Sequence, residues 1–168
     1  MIREGTTRDV YTGKAGQMAV LAELLSRQCN VAVPEVDEGE DVLAFALDDP
    51  EVTRIQVKTA NAETLKEAGR YSAKVSVPLE QLETRSRMEL YYIFAIRIED
   101  RWVDFILITR TLLRRSSARG VGYFNRRAGE LQLYLSFGPD DVTCSGQSWQ
   151  ASRNNWSLLP MIAKPAHP

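Results

Sequence analysis

The chain has 168 residues, 44% of them apolar and 26% charged, with 21 Lys and Arg against 22 Asp and Glu for a net charge of −1. That describes an ordinary globular domain with room for a proper core, and excludes a disordered or fibrous chain. Bulk charge announces no polyanionic partner, so a nucleic acid would need a local basic patch.

Residues 1–10 are polar and without periodicity, and read as a lead-in. A first helix is expected from Thr12, a plausible cap, through Ala15, Met18, Ala19, Leu21, Ala22, Leu24 and Leu25 to Asn30. Its polar face carries Lys14, Gln17, Glu23 and Arg27, while Gly13 and Gly16 in its opening turn suggest close packing against a neighbouring backbone. Val31–Pro34 suits an edge strand ended by proline. Five acids follow in seven residues, Glu35, Asp37, Glu38, Glu40 and Asp41, a density that calls for screening by water or a cation.

The segment from Asp41 to Thr59 reads as a β-hairpin. Val42, Leu43, Phe45 and Leu47 make one apolar run, Val52, Ile55 and Val57 another, and Asp48-Asp49-Pro50-Glu51 between them has turn chemistry. Two registers are open, one setting Asp41 opposite Gln56 and the other opposite Lys58. In both, Asp41, Gln56 and Lys58 share one face, because opposed residues share a face and side chains alternate along a strand. A carboxylate, an amide oxygen and an ammonium at one sheet edge can hold a divalent cation and position a water against a phosphodiester; a merely solvated hairpin face is the plain alternative.

Beyond the hairpin, residues 61–70 read as a surface connection ending at Gly69. Tyr71–Val77 alternates as a half-buried strand, and Pro78 suits the first turn of a short helix. Leu90–Ile98 and Trp102–Ile108, joined by three residues, suggest an antiparallel pair, with Tyr91, Tyr92, Phe94 and Trp102 as core or sheet-face aromatics. Thr109–Ser116 reads as a Thr-capped helix, residues 116–122 as a flexible loop, and Glu130–Phe137 as another alternating strand. The tail from Gly138 docks through Trp149, Trp156, Leu158, Leu159, Met161 and Ile162. No internal repeat or linker divides the chain, so one domain is expected over residues 1–168.

Six arginines, Arg110, Arg114, Arg115, Arg119, Arg126 and Arg127, fall within eighteen residues, interrupted by Tyr123 and Phe124. They could contact phosphates while the aromatics stack on bases, or form a solvated helix face and loop. Cys29 and Cys144 lack any CxxC or Cys/His pattern, and the single histidine, His167, lies in the Pro-flanked tail. Structural zinc and imidazole-based catalysis are therefore not expected. Cys29 is expected to be a small buried hydrophobe. No signal peptide or membrane span is read, so the expected location is cytoplasmic.

Gly13-Lys-Ala-Gly16-Gln17 opening the helix, Val33-Pro34 closing the first strand, Asp37 and Asp41 starting the second, and Ile55-Gln-Val-Lys-Thr59 on the third together resemble small, resolvase-like members of the PD-(D/E)XK nuclease superfamily. The resemblance covers residues 13–59; beyond them only the element order agrees. It implies an α/β fold with a restriction-endonuclease-like core, a central mixed sheet flanked by helices, and a metal-dependent endonuclease acting on DNA. By position, Asp41 would be the main Mg2+ or Mn2+ ligand, Gln56 the second, Lys58 the group that orients water or stabilises charge, and Gln17 would stand where the family often has a helix Glu. Gln17 and Gln56 are amides where carboxylates are usual, so Asp37 or Glu40 would have to supply charge. A non-catalytic nucleic-acid-binding or protein-interaction module on the same fold stays open, and a homodimer is compatible with this type of nuclease.

Overall fold

The computed structural model describes residues 4–35, 39–84 and 86–163. Helix α1 spans Glu4–Ser26, starting a full two turns before Thr12, and the chain turns through Gln28 at φ 62° into β1, Asn30–Ala32. Asn30 therefore begins a strand and does not stop the helix. Val42–Phe45 is β2 and Thr53–Thr64 is β3. Between them the Asp49 carboxylate accepts the Glu51 N–H at 2.9 Å, the Asx-type turn that this acidic sequence favours. Leu47 lies outside the strand and is 87% exposed. The register pairs Val42 with Ile55, which sets Asp41 against Gln56 and decides between the two alternatives.

Strand β3 organises the rest. Antiparallel β2 flanks its first residues, β5 (Leu90–Ile98) runs parallel to it from Arg54 to Asn61, and its last three residues pair with β4 (Tyr71–Pro78). Asn61–Thr64 thus continues the strand where a surface connection is expected, because pairing with β4 takes over as β5 ends. Strand β6 (Arg101–Thr109) pairs antiparallel with β5, and β4 pairs antiparallel with β8 (Glu130–Phe137). Short strands β7 (Tyr123–Asn125) and β9 (Val142–Cys144) extend from β8, and β10 (Gln147–Ser148) closes on β9; sequence periodicity flags none of these three.

The architecture is α/β, with a large, mostly antiparallel strand network folded into two layers. On one face of the β1-β2-β3-β5-β6 layer lie α1 and the C-terminal tail, where Val20, Leu24, Ile55, Val57, Ile93 and Leu107 form one core with Trp156 and Leu159. On its other face, Tyr92, Phe94, Ile96, Ile106 and Ile108 meet Val75, Val77, Leu131, Leu133 and Leu135 from the second layer. The central sheet is thus covered by a helix on one side and by a second sheet on the other, in place of helices on both. Alternation in β4 and β8 explains this, since each presents an apolar row that must be buried. Strand β5 is covered on both faces, which is why its sequence reads as a continuous apolar run.

Helices α2 (Leu79–Glu83) and α3 (Arg110–Ala118) pack on each other at one end of the sandwich. The Thr109 hydroxyl caps α3 by accepting the Leu112 N–H at 3.1 Å. Helix α3 runs through Ala118, so the loop expected at residues 116–122 shortens to a turn ending at Gly122. A tail of two 3-10 turns and α4 (Pro160–Ala163) buries Trp149, Trp156, Leu159 and Met161, whereas Leu158 is exposed. Among the described residues no helix is long and apolar enough to cross a membrane.

Candidate functional site

Pairing between β2 and β3 stops at Ile55, whose carbonyl accepts the Asp41 N–H at 2.9 Å. One residue further on, the β3 edge is met by a side chain. The Asp41 Oδ2 accepts the Val57 N–H at 2.8 Å and the Gln56 Nε2 at 2.5 Å. A backbone donor that would otherwise be orphaned is thereby satisfied, and the carboxylate is fixed at the strand end.

Gln17 reaches the same point from α1. It lies on the helix face that carries Val20 and Leu24 and is buried, so the polar face assigned to it from sequence is corrected. Its Nε2 donates to the Asp41 carbonyl at 2.6 Å, and its Oε1 accepts from the Lys14 Nζ at 2.6 Å. Gly16 sets this approach, since a Cβ there would fall 1.9 Å from the Thr59 Oγ1 on β3. Gly13 has open space where a Cβ would stand and lines the mouth of the site, so close packing explains Gly16 alone. From α2, Gln81 donates to the Gln56 Oε1 and to the Gly39 carbonyl, both at 2.9 Å.

Lys14, Gln17, Asp41, Gln56 and Lys58 line one open groove of about 620 Å3 between α1 and β3. The three residues expected on one face of the hairpin meet there, joined by Gln17. Glu40, a candidate source of further negative charge, is held in a two-bond fork by Arg54 at 2.8 and 2.9 Å; such a fork orients and neutralises a carboxylate. Asp37 lies outside the described residues. Among the described residues no group of three His, Cys, Asp or Glu side chains is placed to hold a metal ion. Gln56 points its amide NH2 at Asp41 and its oxygen at Gln81. This donor set does not form a closed protein cage. Asp41 is its one carboxylate, so water and other oxygen donors would have to complete the shell of any Mg2+-type cation held there.

The six arginines do not behave alike. Arg110 is the first residue of α3 and is buried, which corrects its place on a solvated basic face; its Nη2 donates to the Met88 carbonyl at 3.3 Å. Arg114, Arg115, Arg119, Arg126 and Arg127 are exposed, and Tyr123 and Phe124 on β7 are 61% and 41% exposed beside them. A second depression, of about 590 Å3, is walled by Arg87, Arg110 and Arg114. Arg87 and Gln81 carry no sequence signal of their own, because their places depend on how α2 and α3 meet. Lys14 sits inside the Gly-Lys-Ala-Gly-Gln motif, where its hydrogen bond to Gln17 follows from a three-residue helical spacing.

No family model matches the chain, and no curated protein matches it in sequence. Among solved structures, a bacterial homing endonuclease, I-Ssp6803I, superposes with a TM-score of 0.50 at 15% identity, over 88% of this chain and 87% of that chain. At that identity the likeness is one of fold.

Proposed function

We propose that the chain is a divalent-metal-dependent DNA endonuclease on a restriction-endonuclease-like core. The observation that carries this reading is the convergence of Gln17 from α1, Asp41 from the start of β2, and Gln56 and Lys58 from β3 on one open groove. The fold likeness to a homing endonuclease supports it.

In this reading a DNA phosphodiester enters the groove between Lys14 and Lys58. Asp41 would hold Mg2+ or Mn2+, with Gln56 as a second oxygen ligand once its amide is reversed. The bound cation would supply Lewis-acid polarisation of a phosphoryl oxygen and of a water. The water oxygen bonds to phosphorus and gives up a proton to solvent, the bond from phosphorus to the leaving sugar oxygen breaks, and that oxygen takes up a proton from solvent. The Lys58 ammonium stabilises the negative charge that builds on the phosphoryl oxygens, while Gln17 holds the Asp41 backbone in place. Arg114, Arg115, Arg119, Arg126 and Arg127 hold the DNA backbone, and Tyr123 and Phe124 offer stacking surfaces.

A second reading has its own observation. Both Gln17 and Gln56 are amides spent on hydrogen bonds to Asp41, an arrangement that would equally keep the fold of a protein that binds DNA without cutting it. Titrating Mn2+ into wild type and Asp41→Ala, with fluorescent branched and linear duplexes present, separates the two. Metal uptake and cleavage that are both lost in Asp41→Ala are expected. DNA binding that ignores the metal and survives the substitution would establish the non-catalytic reading.

A further inference from the structure

Arg110 is an anomaly. Its residue is 5% exposed, it forms no ion pair among the described residues, and its hydrogen bond, the 3.3 Å contact to the Met88 carbonyl, is long. A buried guanidinium without a counter-charge is costly, and proteins match such groups with carboxylate, phosphate or dense hydrogen bonding. Close by, the Tyr92 hydroxyl is wholly buried with no hydrogen-bond partner among the described residues, and it feels the Arg110 charge.

Arg110 does not face solid protein. It lies in the wall of the second depression with Arg87 and Arg114, and also in that of an adjoining cavity of about 230 Å3 shared with Gln81. The carboxylate in the second depression, Glu89, is oriented by backbone, its Oε1 accepting the Leu90 N–H at 3.1 Å and the Thr111 N–H at 3.3 Å, and it sets one negative charge against three arginines in the lining. One buried and two exposed arginines therefore line a space large enough for a tetrahedral anion, with an excess of positive charge.

We propose that the depression walled by Arg87, Arg110 and Arg114 is a binding site for a phosphate group, with Arg110 as its buried anchor. Guanidinium suits this ligand, because its planar fork donates paired hydrogen bonds to phosphate oxygens and is weakly hydrated enough to be kept buried. The site does not depend on the nuclease reading, since it lies apart from the Asp41 groove and needs no metal. Where the phosphate comes from does bear on that reading: a nucleic-acid backbone would extend the DNA surface to this end of α3, and a free phosphate ion would not.

The test is thermal melting and calorimetry with sodium phosphate against sodium chloride at equal ionic strength, without DNA or divalent metal, on wild type, Arg110→Met, Arg87→Gln and Arg114→Gln. Wild type is expected to show a saturable rise in Tm specific to phosphate. Arg110→Met should lose that rise while melting, without phosphate, at or above the wild-type temperature, because it removes an unpaired buried charge. Arg87→Gln and Arg114→Gln, at exposed positions, should weaken phosphate binding about tenfold each and leave the ligand-free Tm unchanged. No phosphate-specific rise in wild type, or an equal rise in all three variants, would overturn the proposal. Competition with a fluorescent duplex then separates the sources. Phosphate that displaces the duplex identifies the backbone as the ligand, and phosphate bound beside an undisturbed duplex identifies the free ion.

Discussion

Asp41 and Asp104 show how one side chain can be put to opposite uses. Asp104, on β6, is 2% exposed and held by the Arg153 fork at 2.8 and 2.9 Å, by the Asn154 Nδ2 at 2.6 Å and by the Tyr71 hydroxyl. Arg153 continues to the Gly138 carbonyl at 2.9 Å, and the Asn154 Oδ1 accepts the Phe105 N–H at 2.7 Å, so tail, β4 and β6 are stapled through one ion pair. Asp41 instead receives amide N–H groups from Gln56 and Val57 at the rim of a groove. A guanidinium fork sets an opposite charge directly against a carboxylate, whereas amide donors orient the group. The first arrangement ties three segments together, and the second sets the carboxylate at the edge of the groove, where the proposed function would have it meet a cation.

The sharpest way to break this contrast is to remove the cation of the staple. Arg153→Met leaves Asp104 buried and unpaired, and should cost about 3–5 kcal/mol in urea unfolding. A loss below about 1 kcal/mol would mean that Asp104 is not held by charge at all.

Next in size is Gln56→Glu, which sets a second carboxylate against Asp41. Without divalent ions it should cost about 1 kcal/mol and with Mn2+ the loss should reverse, since two carboxylates repel until a cation lies between them. Melting with and without Mn2+ reads this directly, and a variant indifferent to Mn2+ would count against Asp41 as a cation ligand.

The smallest effect is at Tyr92, whose hydroxyl burial pushes above its usual value of 10.0. Burial also raises the Cys144 thiol above 9.0. In both cases the unfolded chain ionises first as pH rises, so the contribution is whole below the ordinary value and lost on the way up through the raised one. Stability should therefore decline from about pH 9 upward. Tyr92→Phe, which removes a buried hydroxyl that has no hydrogen-bond partner among the described residues, should leave melting at pH 7 almost unchanged and make the alkaline decline shallower.

Much of the groove was legible because strand alternation is strict. Once a hairpin is read between Val42 and Val57, Asp41, Gln56 and Lys58 must share a face whichever register holds. Gln17 was harder: a glutamine three residues before Val20 reads as polar surface until β3 is seen lying against Gly16. Gln81 and Arg87 depend on how α2 meets α3, and no local pattern encodes that. Arg110 misled for the opposite reason, since a basic residue at a helix start ordinarily faces solvent and here the turn from β6 swings it inward. Asp104 stands within the apolar run Trp102–Ile108, and nothing nearby in sequence points to Arg153, 49 residues away. Asn61–Thr64 looks like loop by composition and is strand because β4 pairs with it.

Strand β3 gives Ile55 and Val57 to the core beneath α1 and Ala60 to the core between the layers. Two hydrophobic clusters on opposite faces of a sheet could in principle melt as separate units. Here they share one continuous backbone, so an opening that frees β3 from either cluster pulls on the other and carries Gln56 and Lys58 with it. Gln56 and Lys58 are thus tied to both cores at once, and hydrogen exchange along β3 should report the opening of either.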